Sequence, residues 1–133
     1  MRTTRILAAA LATLASVSLP ATASAVSFGA DGKCMGYLDV TKSAASVTAR
    51  TAVQCATLAP NTVFCTAYRL NGVLQTPSKC WWVMRTRTQY EGVRTAAAVP
   101  GVHEFCAMVG PLGGTPWAGA CASVTVSPIR LTG

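Results

Sequence analysis

Acidic side chains and histidine are scarce in this chain. Among its 133 residues only four are Asp or Glu and one is His, so general acids, general bases and hard metal ligands are in short supply. Asp31, Asp39, Glu91, Glu104 and His103 are the whole stock, and no G-x-S-x-G elbow, H-E-x-x-H pair or phosphate-cradling glycine loop accompanies them. His103 and Glu104 are sequence neighbours, and neighbours on a strand point to opposite faces. His103 is therefore read as a structural or surface residue, and the chain as a non-enzyme that implies no cofactor. A dyad of His103 with Asp31 or Asp39 is the catalytic arrangement that spacing alone leaves open.

Close cysteine pairs are also missing. The nearest two of the six cysteines are Cys55 and Cys65, too far apart for the paired ligands of a structural zinc site. No uninterrupted apolar run reaches the roughly 20 residues of a membrane-spanning helix, and no segment carries a sustained helical stripe. Helix-turn-helix, zinc-finger and aromatic single-strand platform motifs are absent, which argues against sequence-specific nucleic-acid binding.

What is present begins with an export signal. Arg2 and Arg5 precede the apolar run 6–19, Pro20 breaks it, and Ala21, Thr22, Ala23, Ser24 and Ala25 supply the small residues of a cleavage site. The expectation is a signal peptide over 1–25, cut after Ala25 or alternatively Ala23, and one secreted extracellular domain over 26–133 with no transmembrane segment after cleavage. Cys34, Cys55, Cys65, Cys80, Cys106 and Cys121 all fall in that domain, and an even number in a small exported chain reads as a disulfide framework.

Periodicity points to strands. Ala45, Val47, Ala49, Thr51, Val53 and Cys55 alternate with polar or small residues, the two-residue repeat of a half-buried strand. Segments 63–70 and 73–75 flank Asn71-Gly72, a strong hairpin signal. Further strands are expected at 34–41, 80–90, 102–109 and 120–126, with turns at Glu91-Gly92, Pro100-Gly101 and 111–119. About seven short antiparallel strands imply an all-β sandwich of immunoglobulin-like architecture, with a small barrel as the alternative. Glu104 stands where an immunoglobulin domain proper has a tyrosine two residues before its second bridging cysteine, so only the architecture is expected. A two-residue turn at Asn71-Gly72 sets position 65 opposite 78. A bulge near Pro77 would bring Cys65 level with Cys80. The final hairpin likewise favours Cys106 with Cys121, leaving Cys34 for Cys55; nested or inter-sheet pairings compete with this set.

The Ala/Val/Thr/Gly-rich signal and body, the six spread cysteines and Tyr68-Arg69-Leu70-Asn71-Gly72 resemble small secreted proteins of high-GC Gram-positive bacteria. In length and architecture the chain is also similar to the secreted chromophore-carrying antitumour apoproteins of those bacteria, which are acidic and carry fewer bridges. The resemblance implies localisation and fold, and no ligand residue is carried over.

Charge speaks to partners. Removing Arg2 and Arg5 from eleven Lys/Arg leaves nine against four acids, a formal +5 on the mature domain, so an anionic polymer, glycan or cell surface is the expected partner. Within 80–90, alternation puts Trp81, Arg85 and Arg87 on one face, with Arg94 nearby across a Glu91-Gly92 turn. An indole flanked by guanidinium forks suits phosphate, sulfate or carboxylate, so these four are the candidate binding residues. Two other functions share the framework. A secreted protease inhibitor would present Lys79 on a loop stiffened by Pro77 and Cys80, or use the loop 111–116. A secreted toxin or antimicrobial protein shares the charge signature. Ligand identity and oligomeric state are not encoded in any motif.

Overall fold

The computed structural model describes residues 22–128, an all-β domain of eight strands: β1 Thr22–Ala30, β2 Cys34–Lys42, β3 Ser46–Cys55, β4 Thr62–Leu70, β5 Val73–Trp82, β6 Gln89–Ala97, β7 Gly101–Pro111 and β8 Ala118–Val126. They form two antiparallel four-stranded sheets, ordered β1-β2-β3-β6 and β5-β4-β7-β8. Residues 1–21 and 129–133 lie outside the described residues, and with them most of the expected signal peptide.

The sandwich follows from strand alternation. On β3 the small apolar set Val47, Ala49, Thr51, Val53 and Cys55 is buried, as its periodicity implies. It faces Phe64 and Tyr68 of β4 and Phe105, Ala107 and Val109 of β7 across a core completed by Leu38 and Val40 of β2. Thr51 and Thr66, one from each sheet, satisfy each other in the middle of that core through a hydroxyl hydrogen bond of 3.0 Å, since a buried hydroxyl left unpaired is costly. The chain crosses between sheets from β3 to β4 and again from β6 to β7, while β3 pairs with β6 and β4 with β7. That interlocking is the connectivity of immunoglobulin-like sandwiches, and two separate sheets replace the alternative of a closed barrel. β1 packs against β8 at one lateral edge, whereas β5 and β6 scarcely touch at the other.

All three bridges join strand neighbours: Cys34–Cys55 across β2 and β3, Cys65–Cys80 across β4 and β5, Cys106–Cys121 across β7 and β8. No cysteine is free. The bulge expected near Pro77 is present: two steps along β4, Thr66 to Tyr68, span four along β5, Lys79 to Gln75, and this slip puts Cys80 opposite Cys65. The Asn71-Gly72 hairpin also forms, with φ of 52° and 82° at its two turn residues, the left-handed conformation that Asn and Gly accept most readily.

Three expectations need correction. A strand not expected from sequence, β1, pairs with β2 along Thr22–Ala30, which makes eight strands rather than seven. The segment 80–90 is not one strand. β5 ends at Trp82 and β6 begins at Gln89, because the buried Val83 donates its N–H to Thr62 O (3.0 Å) and Arg87 donates its N–H to Cys55 O (2.7 Å) with φ of 57°. These bonds carry the chain from the second sheet to the first. Finally, Glu91-Gly92 is not a turn but lies inside β6. A Cβ on Gly92 would stand 2.6 Å from the Trp81 ring, so the glycine serves close approach between sheets rather than reversal of the chain.

Candidate functional site

Four connections gather at one end of the sandwich: the β1–β2 turn 31–33, the β3–β4 loop 56–61, the β5–β6 crossing 83–88 and the β7–β8 loop 112–117. Backbone hydrogen bonds tie them together. Ala56 N–H donates to Lys33 O (2.6 Å), and Thr57 Oγ1 donates to Gly32 O (2.9 Å). Arg87 N–H and Val83 N–H donate to Cys55 O and Thr62 O at the two ends of the β3–β4 loop, and Leu112 N–H donates to Asn61 O (2.7 Å) within it. The β3–β4 loop is thus the hub to which the other three are fastened. Lys33 Nζ sits 5.1 Å from the Trp117 ring centroid and adds a cation–π contact between the first and last connections. Surfaces ordered in advance lose less entropy when they bind.

This end has two chemically distinct sides. Toward the first sheet, Asp31, Lys33, Gln54 and Arg87 line a depression of about 540 Å³ floored by the Cys34–Cys55 bridge. Met35 and Gln54 carry it over into a shallower one of about 280 Å³ beside Tyr37 and Gln89 on the outer face of that sheet. Toward the second sheet the surface is apolar. Leu58, Trp82 and Met84 line a further depression of about 400 Å³, and Trp82 lies opposite Val63, which borders another with Leu112 and Pro116. Trp82, Met84 and Leu112 are 50%, 69% and 54% exposed. Among the described residues the one ion pair is Arg69–Glu104, 3.6 Å apart and remote in sequence from these loops. Lys33, Arg85 and Arg87 are exposed and have no acid partner within salt-bridge distance among the described residues.

The four residues expected to form a strip are therefore distributed. Trp81 points inward, stacked on Phe64 at 5.1 Å between ring centroids with Gly92 on its path. Of the two faces of β5, Cys80 and Trp82 take the outer one and Trp81 the inner one. Arg94, on the inner face of β6, donates to Thr66 O (2.8 Å) and Gln75 O (3.2 Å) and lies over the Tyr68 ring at 5.7 Å. It closes the open edge between β5 and β6 and is engaged there. Arg85 and Arg87 remain exposed in the β5–β6 crossing, and Arg87 lines the larger depression. Lys33, Trp82, Met84 and Leu112 were not singled out from sequence. Asp31-Gly32, a hairpin dipeptide like Asn71-Gly72, is the one local signal that could have placed Lys33 on a turn, with φ of 73° at Gly32.

The other candidates are placed as follows. His103 is fully buried, its Nε2 2.7 Å from Val99 O and its Nδ1 2.8 Å from the Tyr68 hydroxyl. A carbonyl only accepts, so Nε2 donates to Val99 O, and Nδ1 pairs with the Tyr68 hydroxyl. Burial pushes the Tyr68 phenol above its ordinary value, against the opposing pull of Arg94. Neither Asp31 nor Asp39 reaches His103, and the dyad is not formed. Lys79 lies in β5 rather than on a loop; its Nζ approaches Val93 O (3.4 Å) and the Trp81 ring (5.7 Å). Of the expected loop 111–116, Pro111 ends β7 and the rest lies in the β7–β8 loop, fastened at Leu112 and Trp117. Glu104, Cys106 and Cys121 cluster, but both sulfurs belong to a disulfide and are not thiolate ligands.

No known family model matches the chain, and no curated protein matches it.

Proposed function

We propose that this is an exported, non-catalytic binding domain that engages an anionic extracellular polymer or surface through the four-loop end of its sandwich. Three disulfides accord with an oxidising compartment, and no helix among the described residues is long and apolar enough to cross a membrane. The observation that carries the reading is the placement of Lys33, Arg85 and Arg87, unpaired with acids among the described residues, on loops that are fastened to one another. Guanidinium groups stay protonated and charged, and match phosphate, sulfate or carboxylate oxygens as forks. Arg87 is also anchored at its backbone, so ordering it on a ligand costs mainly side-chain entropy. Asp31 lies in the same depression and opposes an anion there, which directs the contact toward the arginines of the crossing.

A heparin column reads this directly. Arg85→Ala with Arg87→Ala is expected to elute at clearly lower salt than the parent, and Arg50→Ala with Arg130→Ala to shift less, although both double variants remove the same charge. Arg50 lies on the outer face of β3, and Arg130 lies outside the described residues. Equal shifts would reduce the interaction to diffuse charge, and no retention of the parent at low salt would remove the proposal.

A further inference from the structure

The cations of the loop end account for one of its two sides. The other carries Trp82, Met84 and Leu112, three large apolar side chains at least half exposed, on elements fastened to the same β3–β4 hub. Met84 is next to Arg85 in sequence and Trp82 is separated from it by two residues, so apolar and cationic groups share a single crossing. A hydrated polyanion can pair with guanidiniums but offers no apolar phase to a methionine and a leucine. An anionic bilayer offers both, phosphate at its surface and hydrocarbon just beneath, and the boundary between them is where tryptophan is enriched.

We infer that the partner of this site is an anionic phospholipid bilayer, into whose interface Trp82, Met84 and Leu112 insert while Lys33, Arg85 and Arg87 contact headgroup phosphates. The inference rests on the proposed role of the loop end and names its partner. Binding of this kind combines buried apolar area with attraction to anionic lipid, and each contribution can be removed separately. The opposite end of the sandwich supplies the control. Val73 and Val99 are exposed there, but the lysine of that end, Lys42, donates to Thr125 O (2.8 Å).

The test is co-sedimentation of the oxidised protein with vesicles of phosphatidylglycerol and phosphatidylcholine in equal parts, beside vesicles of phosphatidylcholine alone and a heparin column. Binding to the anionic vesicles is expected to weaken with salt and to be much weaker on pure phosphatidylcholine. Trp82→Ser with Met84→Ser should lower vesicle affinity by about tenfold or more while leaving heparin elution within the range of the parent. Val73→Ser with Val99→Ser should leave both unchanged. Matching far-ultraviolet circular dichroism and thermal midpoints for the variants keep a folding defect from being read as a binding defect. Heparin retention without vesicle binding overturns the bilayer assignment and leaves the loop-end reading standing. Vesicle binding unchanged by Trp82→Ser with Met84→Ser also overturns it. Absence of both interactions overturns both readings.

Discussion

Replacing Trp81 by alanine is expected to destabilise the domain by about 3 kcal/mol, the lower end for a large aromatic removed from a core, whereas Trp82→Ala should cost about 1 kcal/mol or less. The two residues are adjacent and chemically identical, and only the face each occupies differs. Trp81 lies partly buried on Phe64 beneath the Gly92 backbone; its loss opens a cavity between the sheets where β5 and β6 already scarcely touch. Trp82 is half exposed, and its truncation leaves no enclosed void. Urea midpoints at unchanged m-value read the difference. Equal costs, or the larger cost at Trp82, would mean that the faces of β5 are reversed.

The second large effect concerns Cys34–Cys55. Replacing both cysteines by alanine is expected to cost about 3 kcal/mol from lost loop closure alone, across a sequence separation of 21, with the loss of buried sulfur packing added because the two residues are 4% and 0% exposed. For a total stability of about 5–15 kcal/mol this is a substantial fraction. The same burial orders the bridges by accessibility. Thiol–disulfide exchange needs a path for the attacking thiolate, and Cys80 and Cys121 are exposed where Cys34 and Cys55 are not. Mild reduction and alkylation of the folded protein should therefore label Cys65, Cys80, Cys106 and Cys121 before Cys34 and Cys55. Early labelling of Cys34 or Cys55 would contradict the assignment of that bridge to the core.

Much of the sandwich was legible where a local rule and the tertiary structure agree. The β3 alternation named its buried face, Asn71-Gly72 named its hairpin, and the register from that hairpin required the Pro77 bulge that aligns Cys65 with Cys80. Failures came where one residue type serves two purposes. Glycine at 92 reads as a turn in sequence but makes room for an indole in three dimensions. Residues 83–88 have the composition of a continuous strand, and the break there is imposed by two long-range backbone bonds, to Thr62 and Cys55, that no periodicity contains.

The candidate site followed the same division. Arg85 and Arg87, expected from sequence to share a face, are both exposed and, among the described residues, lack an acid partner. The strip joining them to Trp81 and Arg94 depended on alternation through 80–90 and failed with it. Lys33, Met84 and Leu112 belong to three separate connections, and their shared location is a product of topology rather than spacing.

The central claim, that the loop end is the contact surface, is tested most directly by amide chemical-shift mapping of the isotope-labelled, oxidised protein titrated with short heparin oligosaccharides at low salt. Perturbations are expected at 31–33, 56–61, 83–88 and 112–117, with the amides of Arg85 and Arg87 among the largest, and little change at 43–45, 71–72 and 98–100. Shifts concentrated in those last three segments, or spread evenly over both ends, would contradict the claim.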